Sequence, residues 1–85
     1  MKTTFTKPFV KDYNRLPAQI QKLFDKQLSL LLTNFHHPSL RTKKIQGTDR
    51  IWEGSVTMNY RFTFEIIDDT LCFRRIGMHN ILNHP

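Results

Sequence analysis

The stretch Arg50 to His79, RIWEGSVTMNYRFTFEIIDDTLCFRRIGMH, decides the fold. Aromatic and β-branched residues crowd it, and its polar breaks divide it into three strands: Ile51 to Thr57, Tyr60 to Ile67 and Thr70 to Ile76. Turns fall at Met58-Asn59 and Asp68-Asp69. In the middle strand Tyr60, Phe62, Phe64 and Ile66 alternate with Arg61, Thr63, Glu65 and Ile67, the period of a strand with one buried and one mostly polar face. Arg61 therefore projects from the face opposite a core. Gly77 allows a sharp exit from the last strand, so His79 is expected near that strand's end.

The residues upstream supply the cover. Lys2 to Phe5 is β-prone, Thr6 can cap a helix and Pro8 fits its first turn, with Phe9, Tyr13 and Leu16 as the apolar stripe and Lys11, Asp12 and Asn14 elsewhere on the surface. After Pro17, the residues Ile20, Leu23, Phe24, Gln27, Leu28, Leu31 and Leu32 follow helical spacing, with Gln27 as the one polar interruption. Asp25, Lys22 and Lys26 fall on the opposite side. Six such apolar side chains are worth roughly 1.5–3 kcal/mol each on burial, so this helix must pack on something. The apolar face of the sheet is the surface large enough.

Length and composition narrow the class. Eighty-five residues suit one domain, residues 1 to 85, with a core only just sufficient for stability. Thirteen Lys and Arg against seven Asp and Glu give a net charge of +6, which favours nucleic acid or an acidic protein as partner. Cys72 has no second cysteine to pair with and sits in a strand as a small hydrophobe. Neither a leader pattern nor a long apolar run is visible, so the chain is expected to be cytoplasmic and to have no membrane partner.

No phosphate loop, serine elbow, zinc signature or EF-hand is present, so no cofactor and no metal is expected. His36 and His37 are adjacent and point apart, with no Cys or carboxylate at ligand spacing, which reads as a solvated loop. What remains is Glu53, Arg61 and His79 within a halo of Arg41, Lys43, Lys44, Arg50, Arg74 and Arg75. These are the parts of a metal-free ribonuclease: a base for the 2′-hydroxyl, an arginine for the phosphorane charge and an acid for the leaving 5′-oxygen. Each also has a plainer reading: Glu53 or Arg61 in a cross-strand ion pair, His79 in a turn, Trp52 in packing.

Register limits the reading. A two-residue loop at Met58-Asn59 puts Arg61 on the face of Trp52, Gly54 and Val56, with Glu53 behind; an odd-numbered loop or a bulge puts Glu53 beside Arg61. The sequence has no Asn-Gly turn to decide between them.

Taken together, the chain resembles the RelE/ParE superfamily of type II toxin–antitoxin toxins, on its RelE-like mRNA interferase side. The resemblance rests on the helical pair ending at Leu31-Leu32, Leu40-x-x-x-Lys44-Ile45-x-Gly47, Ile51-Trp52-Glu53-Gly54, Tyr60-Arg61-Phe62-Thr63-Phe64 and Arg75-Ile76-Gly77-Met78-His79. It implies an α+β fold with two N-terminal helices packed on one face of a small twisted antiparallel sheet. It also implies an endoribonuclease acting on mRNA, free or on the ribosome, without metal. A cognate antitoxin would neutralise it, and operator DNA would be bound only through the antitoxin complex. Arg61 matches the family's strand arginine, and His79 the histidine some members place after the last strand. Similar proteins tend to carry a basic residue at the position of Ser55 and an acidic one at Asn80, so a weakened catalyst is expected. Two other readings stay open: a ParE-like poison of DNA gyrase, and a non-catalytic basic module that binds antitoxin or nucleic acid.

Overall fold

The computed structural model describes residues 1–85. Elements follow in the order β1 (Lys2–Phe5), α1 (Lys7–Asn14), α2 (Ala18–Thr33), a 3-10 turn (Pro38–Leu40), β2 (Lys43–Lys44), β3 (Trp52–Ser55), β4 (Tyr60–Ile67), β5 (Thr70–Met78) and a C-terminal 3-10 segment (His79–Asn83). The sheet order is β1-β5-β4-β3-β2. The three expected strands form its centre and are antiparallel. The sheet is larger than expected, because β1 joins one edge in parallel with β5 and β2 adds a two-residue rung beside β3.

Local chemistry explains the elements. Thr6 caps α1 by accepting a hydrogen bond from the Phe9 N–H, with Pro8 in the first turn. Asp68 and Asp69 join β4 to β5 with positive φ at both positions (48° and 60°), the backbone of a hairpin turn that follows the sheet's own twist. Gly54 stands opposite Phe62 across β3 and β4, where a Cβ would lie 2.2 Å from the Phe62 ring, so only glycine admits that ring.

The core lies between the helices and one sheet face. Phe24 of α2 is at its centre, its ring 5.4 Å from those of Phe9 and Phe62 and 5.7 Å from Phe73. Leu31, Leu40, Val56, Phe64, Leu71 and Ile76 complete it. Trp52 is on this face too, stacked on Phe64 and edge-on to Phe35, so it packs rather than offering its ring to solvent.

Two helix assignments change. Leu23 and Leu32 are exposed, because the buried arc of α2 runs through Phe24, Gln27 and Leu31 and leaves each of them about 100° to one side. Asp12 is not a free surface residue: its carboxylate accepts from the Arg75 side chain and from the Ile76 N–H, closing the edge of β5 where β1 has ended.

Candidate functional site

The second face of the sheet is set by the pairing of β3 with β4. Ser55 pairs with Arg61, Gly54 with Phe62, Glu53 with Thr63 and Trp52 with Phe64. The connection is a five-residue span, Val56 to Tyr60, so Glu53 and Ser55 share a face with Arg61. Lys43 pairs with Glu53 on one side, and Thr63 pairs with Arg75 on the other. Lys43, Glu53, Thr63 and Arg75 thus form one row, with Ser55, Arg61 and Gly77 in the next.

A register shift between Thr63 and Phe64 inserts one extra residue, Arg74, into β5. The bulge brings Arg74 and Arg75 to the same side. Arg74 pairs with Glu65 at 3.4 Å, and Arg75 grips Asp12 with Nε at 2.6 Å and Nη2 at 3.3 Å. The hydrogen bond to Asp12 holds Arg75 above its ordinary pKa against the opposing effect of burial.

This face is less open than its alternation suggests. After β5 the chain turns back across it: Ile81 is buried, the His84 carbonyl accepts from Arg75, and the Pro85 carbonyl accepts from Arg74 and Thr63. Thr63 is fully buried under this cover. Gly77 therefore does not make the exit turn. It lies within β5, where a Cβ would stand 3.0 Å from the Ile81 methyl, and its bareness lets the returning segment approach.

Arg61 differs from the other two arginines of the face. It has no carboxylate partner, its Nη1 donates to the Thr57 carbonyl at 3.5 Å, and its Nε is buried without any partner. Glu53 is 9% exposed, makes no ion pair, and lies diagonal to Arg61 through the Ser55 pairing. His79 is exposed at the rim, directly after Met78, which pairs with Tyr60. Its ring has no hydrogen-bond partner. Asn80, beside it, is exposed as well.

The basic residues are spread over several surfaces. Lys43 is exposed on the Arg61 face, whereas Lys44 points to the other side, its Nζ 5.6 Å from the Trp52 ring. Arg50 is exposed in the loop before β3. Arg41 ends the first 3-10 turn in a left-handed conformation, near His37, whose Nδ1 accepts from the Ser39 N–H. Two contributors escaped the sequence reading, Asp12 and Gln27. Gln27 is buried and donates to the carbonyls of Ser55 and Ser39. Its signal was present as the single polar residue in an apolar stripe.

A small α+β domain with two helices on one face of a five-stranded mixed sheet is a fold that known proteins share. No family model matches the chain. It is 33% identical over 82 residues to Toxin RelE3 of Methanocaldococcus jannaschii, covering 89% of this chain and 88% of that toxin. A chain in the crystal structure of the RelB–RelE antitoxin–toxin complex from Methanococcus jannaschii superposes with a TM-score of 0.75 at 27% identity, over 94% of each chain. The YoeB/ParE toxin from Agrobacterium tumefaciens (TM-score 0.79, 16% identity, 93% and 99% coverage) has the same fold. YafQ from E. coli (0.77, 18%, 95% and 96%) shares it as well. The chain belongs to the RelE family of toxins, within the RelE/ParE superfamily.

Proposed function

We propose that this chain is the toxin of a type II toxin–antitoxin system and cleaves mRNA as an endoribonuclease. Arg61 carries the reading. It is the one arginine of the sheet face with no carboxylate, and a guanidinium with a buried, unpartnered Nε is primed for an anion that arrives with the substrate. Glu53 takes the proton of the 2′-hydroxyl as that oxygen attacks the adjacent phosphorus. Arg61 stabilises the charge on the phosphorane oxygens. His79 gives a proton to the departing 5′-oxygen, leaving a 2′,3′-cyclic phosphate and a 5′-hydroxyl. No metal or cofactor enters these steps.

Lys43, Arg50 and Arg41, all exposed, hold the RNA backbone, with Lys44 at the edge of that surface. Arg74 and Arg75 join only after exchanging their present carboxylate and carbonyl partners. Ser55 and Asn80 leave the site with fewer charges than the family pattern, so turnover is slow. An acidic antitoxin fits the net charge of +6 and is supported by the likeness to the RelB–RelE complex.

The test uses the purified toxin, freed of antitoxin, with an RNA oligonucleotide free and on programmed ribosomes. Cleavage products should end in a cyclic phosphate and a 5′-hydroxyl, and a 2′-deoxy substitution at the cut position should abolish the cut. Intact RNA in both settings, with inhibition of DNA gyrase instead, would replace this reading with the gyrase one.

A further inference from the structure

We propose that Gln27 is a positioning residue for Arg61, acting through the β3–β4 connection. This rests on the reading of Arg61 as the cationic centre of the site. Gln27 is 7% exposed and is the one polar residue on the buried arc of α2. Its side-chain amide donates to the Ser55 carbonyl at 2.8 Å and to the Ser39 carbonyl at 3.3 Å. β2 pairs only with Trp52 and Glu53, so Ser55 lies beyond the last rung on that edge. A buried carbonyl there needs a donor, and Gln27 supplies it from the helix layer.

Ser55 passes the constraint on. Its hydroxyl donates to the Thr57 carbonyl at 2.9 Å, and the same carbonyl accepts from Arg61 Nη1. Thr57 is in turn bound to Tyr60, its hydroxyl accepting from the Asn59 and Tyr60 N–H groups. The Thr57 carbonyl is the one hydrogen-bond acceptor for the Arg61 guanidinium. At 3.5 Å this contact is long, but it is the one polar contact the guanidinium has, so a shift of the turn changes the one group that orients Arg61. A displacement of about 1 Å in such a group can cost about a hundredfold in rate.

The experiment compares wild type with Gln27→Met, which keeps the shape and removes the donor. The folded proteins, labelled with 15N-arginine, report exchange of the Arg61 Nε–H; RNA cleavage by the same samples gives kcat and KM. Gln27→Met should speed that exchange by at least about tenfold and lower kcat about tenfold, with KM held within about twofold by the other basic residues. Leu32→Ala, a loss of exposed apolar surface on the same helix away from the turn, should move neither. Exchange that stays at the wild-type rate overturns the proposal even if activity falls, because the loss is then merely structural. Faster exchange with unchanged kcat overturns it too. Should Gln27→Met fail to fold, Ser55→Ala breaks the next bond of the same chain and is judged by the same two readouts. If Arg61→Ala cleaves RNA at the wild-type rate, the reading of the site itself is wrong, a result separate from whether Gln27 holds Arg61.

Discussion

Ser55 and Arg61 face one another across β3 and β4, with Ser55 7% exposed and its hydroxyl sharing the Thr57 carbonyl with the Arg61 guanidinium. A neutral hydroxyl thus occupies the site nearest the proposed catalytic cation. Replacing it tests what charge at this position does. Ser55→Lys removes the bond from the Ser55 hydroxyl to the Thr57 carbonyl, as Ser55→Ala does, but adds a second cation for the developing phosphorane charge, so it should cleave RNA about tenfold faster than Ser55→Ala. The same change places two positive charges side by side, so the urea midpoint should fall. A cleavage rate at or below that of Ser55→Ala would show that a positive charge at this position does not serve the reaction.

The Asp12–Arg75 contact joins α1 to β5 and also satisfies the Ile76 N–H. Asp12→Ala removes three hydrogen bonds to a partly buried carboxylate. Charge-assisted bonds are worth about 1.5–3 kcal/mol, and partial exposure moves the expected loss to about 2 kcal/mol in total. Urea denaturation measures it. A change below about 0.5 kcal/mol would mean that the contact is no more than a surface ion pair.

Gly54 leaves room for the Phe62 ring at the sheet's centre. Gly54→Ala should cost about 1–3 kcal/mol through overpacking, measured by the same denaturation. It should also disturb the neighbouring Ser55–Arg61 pair. Wild-type stability would show that the ring shifts freely, contrary to a core in which Phe24, Phe64 and Phe73 surround it.

Tyr13 donates to Asp25 at 2.9 Å, and its pKa is raised above the ordinary 10.0, first by burial and then by the Asp25 hydrogen bond and charge. The folded state therefore keeps the phenol proton at a pH where the unfolded chain has begun to lose it. Stability contributed by the neutral phenol is complete below pH 10 and is lost as pH rises from 10.0 toward the higher folded pKa. Tyr13→Phe should flatten the alkaline end of the Tm–pH profile. An unchanged slope would place the alkaline sensitivity elsewhere.

The strands were legible because their pattern is local. Alternation along Tyr60 to Ile67 marks β4 without reference to any neighbour, and the same holds for the Phe24–Leu31 stripe of α2. The pairing of Glu53 with Thr63 was not, because it depends on how Val56 to Asn59 close the hairpin, and these residues carry no turn signature. Lys2 to Phe5 was legible as β-prone, but its parallel place beside β5 was not, because the partner of Lys2 is Thr70, sixty-eight residues away. The cover over Thr63 escaped for a similar reason: carbonyls of His84 and Pro85 reach Arg75 and Arg74, contacts that no side-chain pattern announces. Of the site, Arg61 was readable from its position in the alternation. Its lack of a partner depends on Glu65 and Asp12 being taken by Arg74 and Arg75, pairs that lie far apart in sequence or across strands.

The central claim is that Arg61 makes this chain an RNA-cleaving toxin, and one measurement addresses it most directly. Wild type and Arg61→Ala are induced to equal levels in cells without antitoxin, while growth is followed and transcripts are sequenced for new 5′-hydroxyl ends. Wild type should arrest growth with abundant new ends in mRNA, and Arg61→Ala should allow continued growth with no such ends. Intact transcripts in arrested cells, together with equal toxicity of Arg61→Ala, would contradict it.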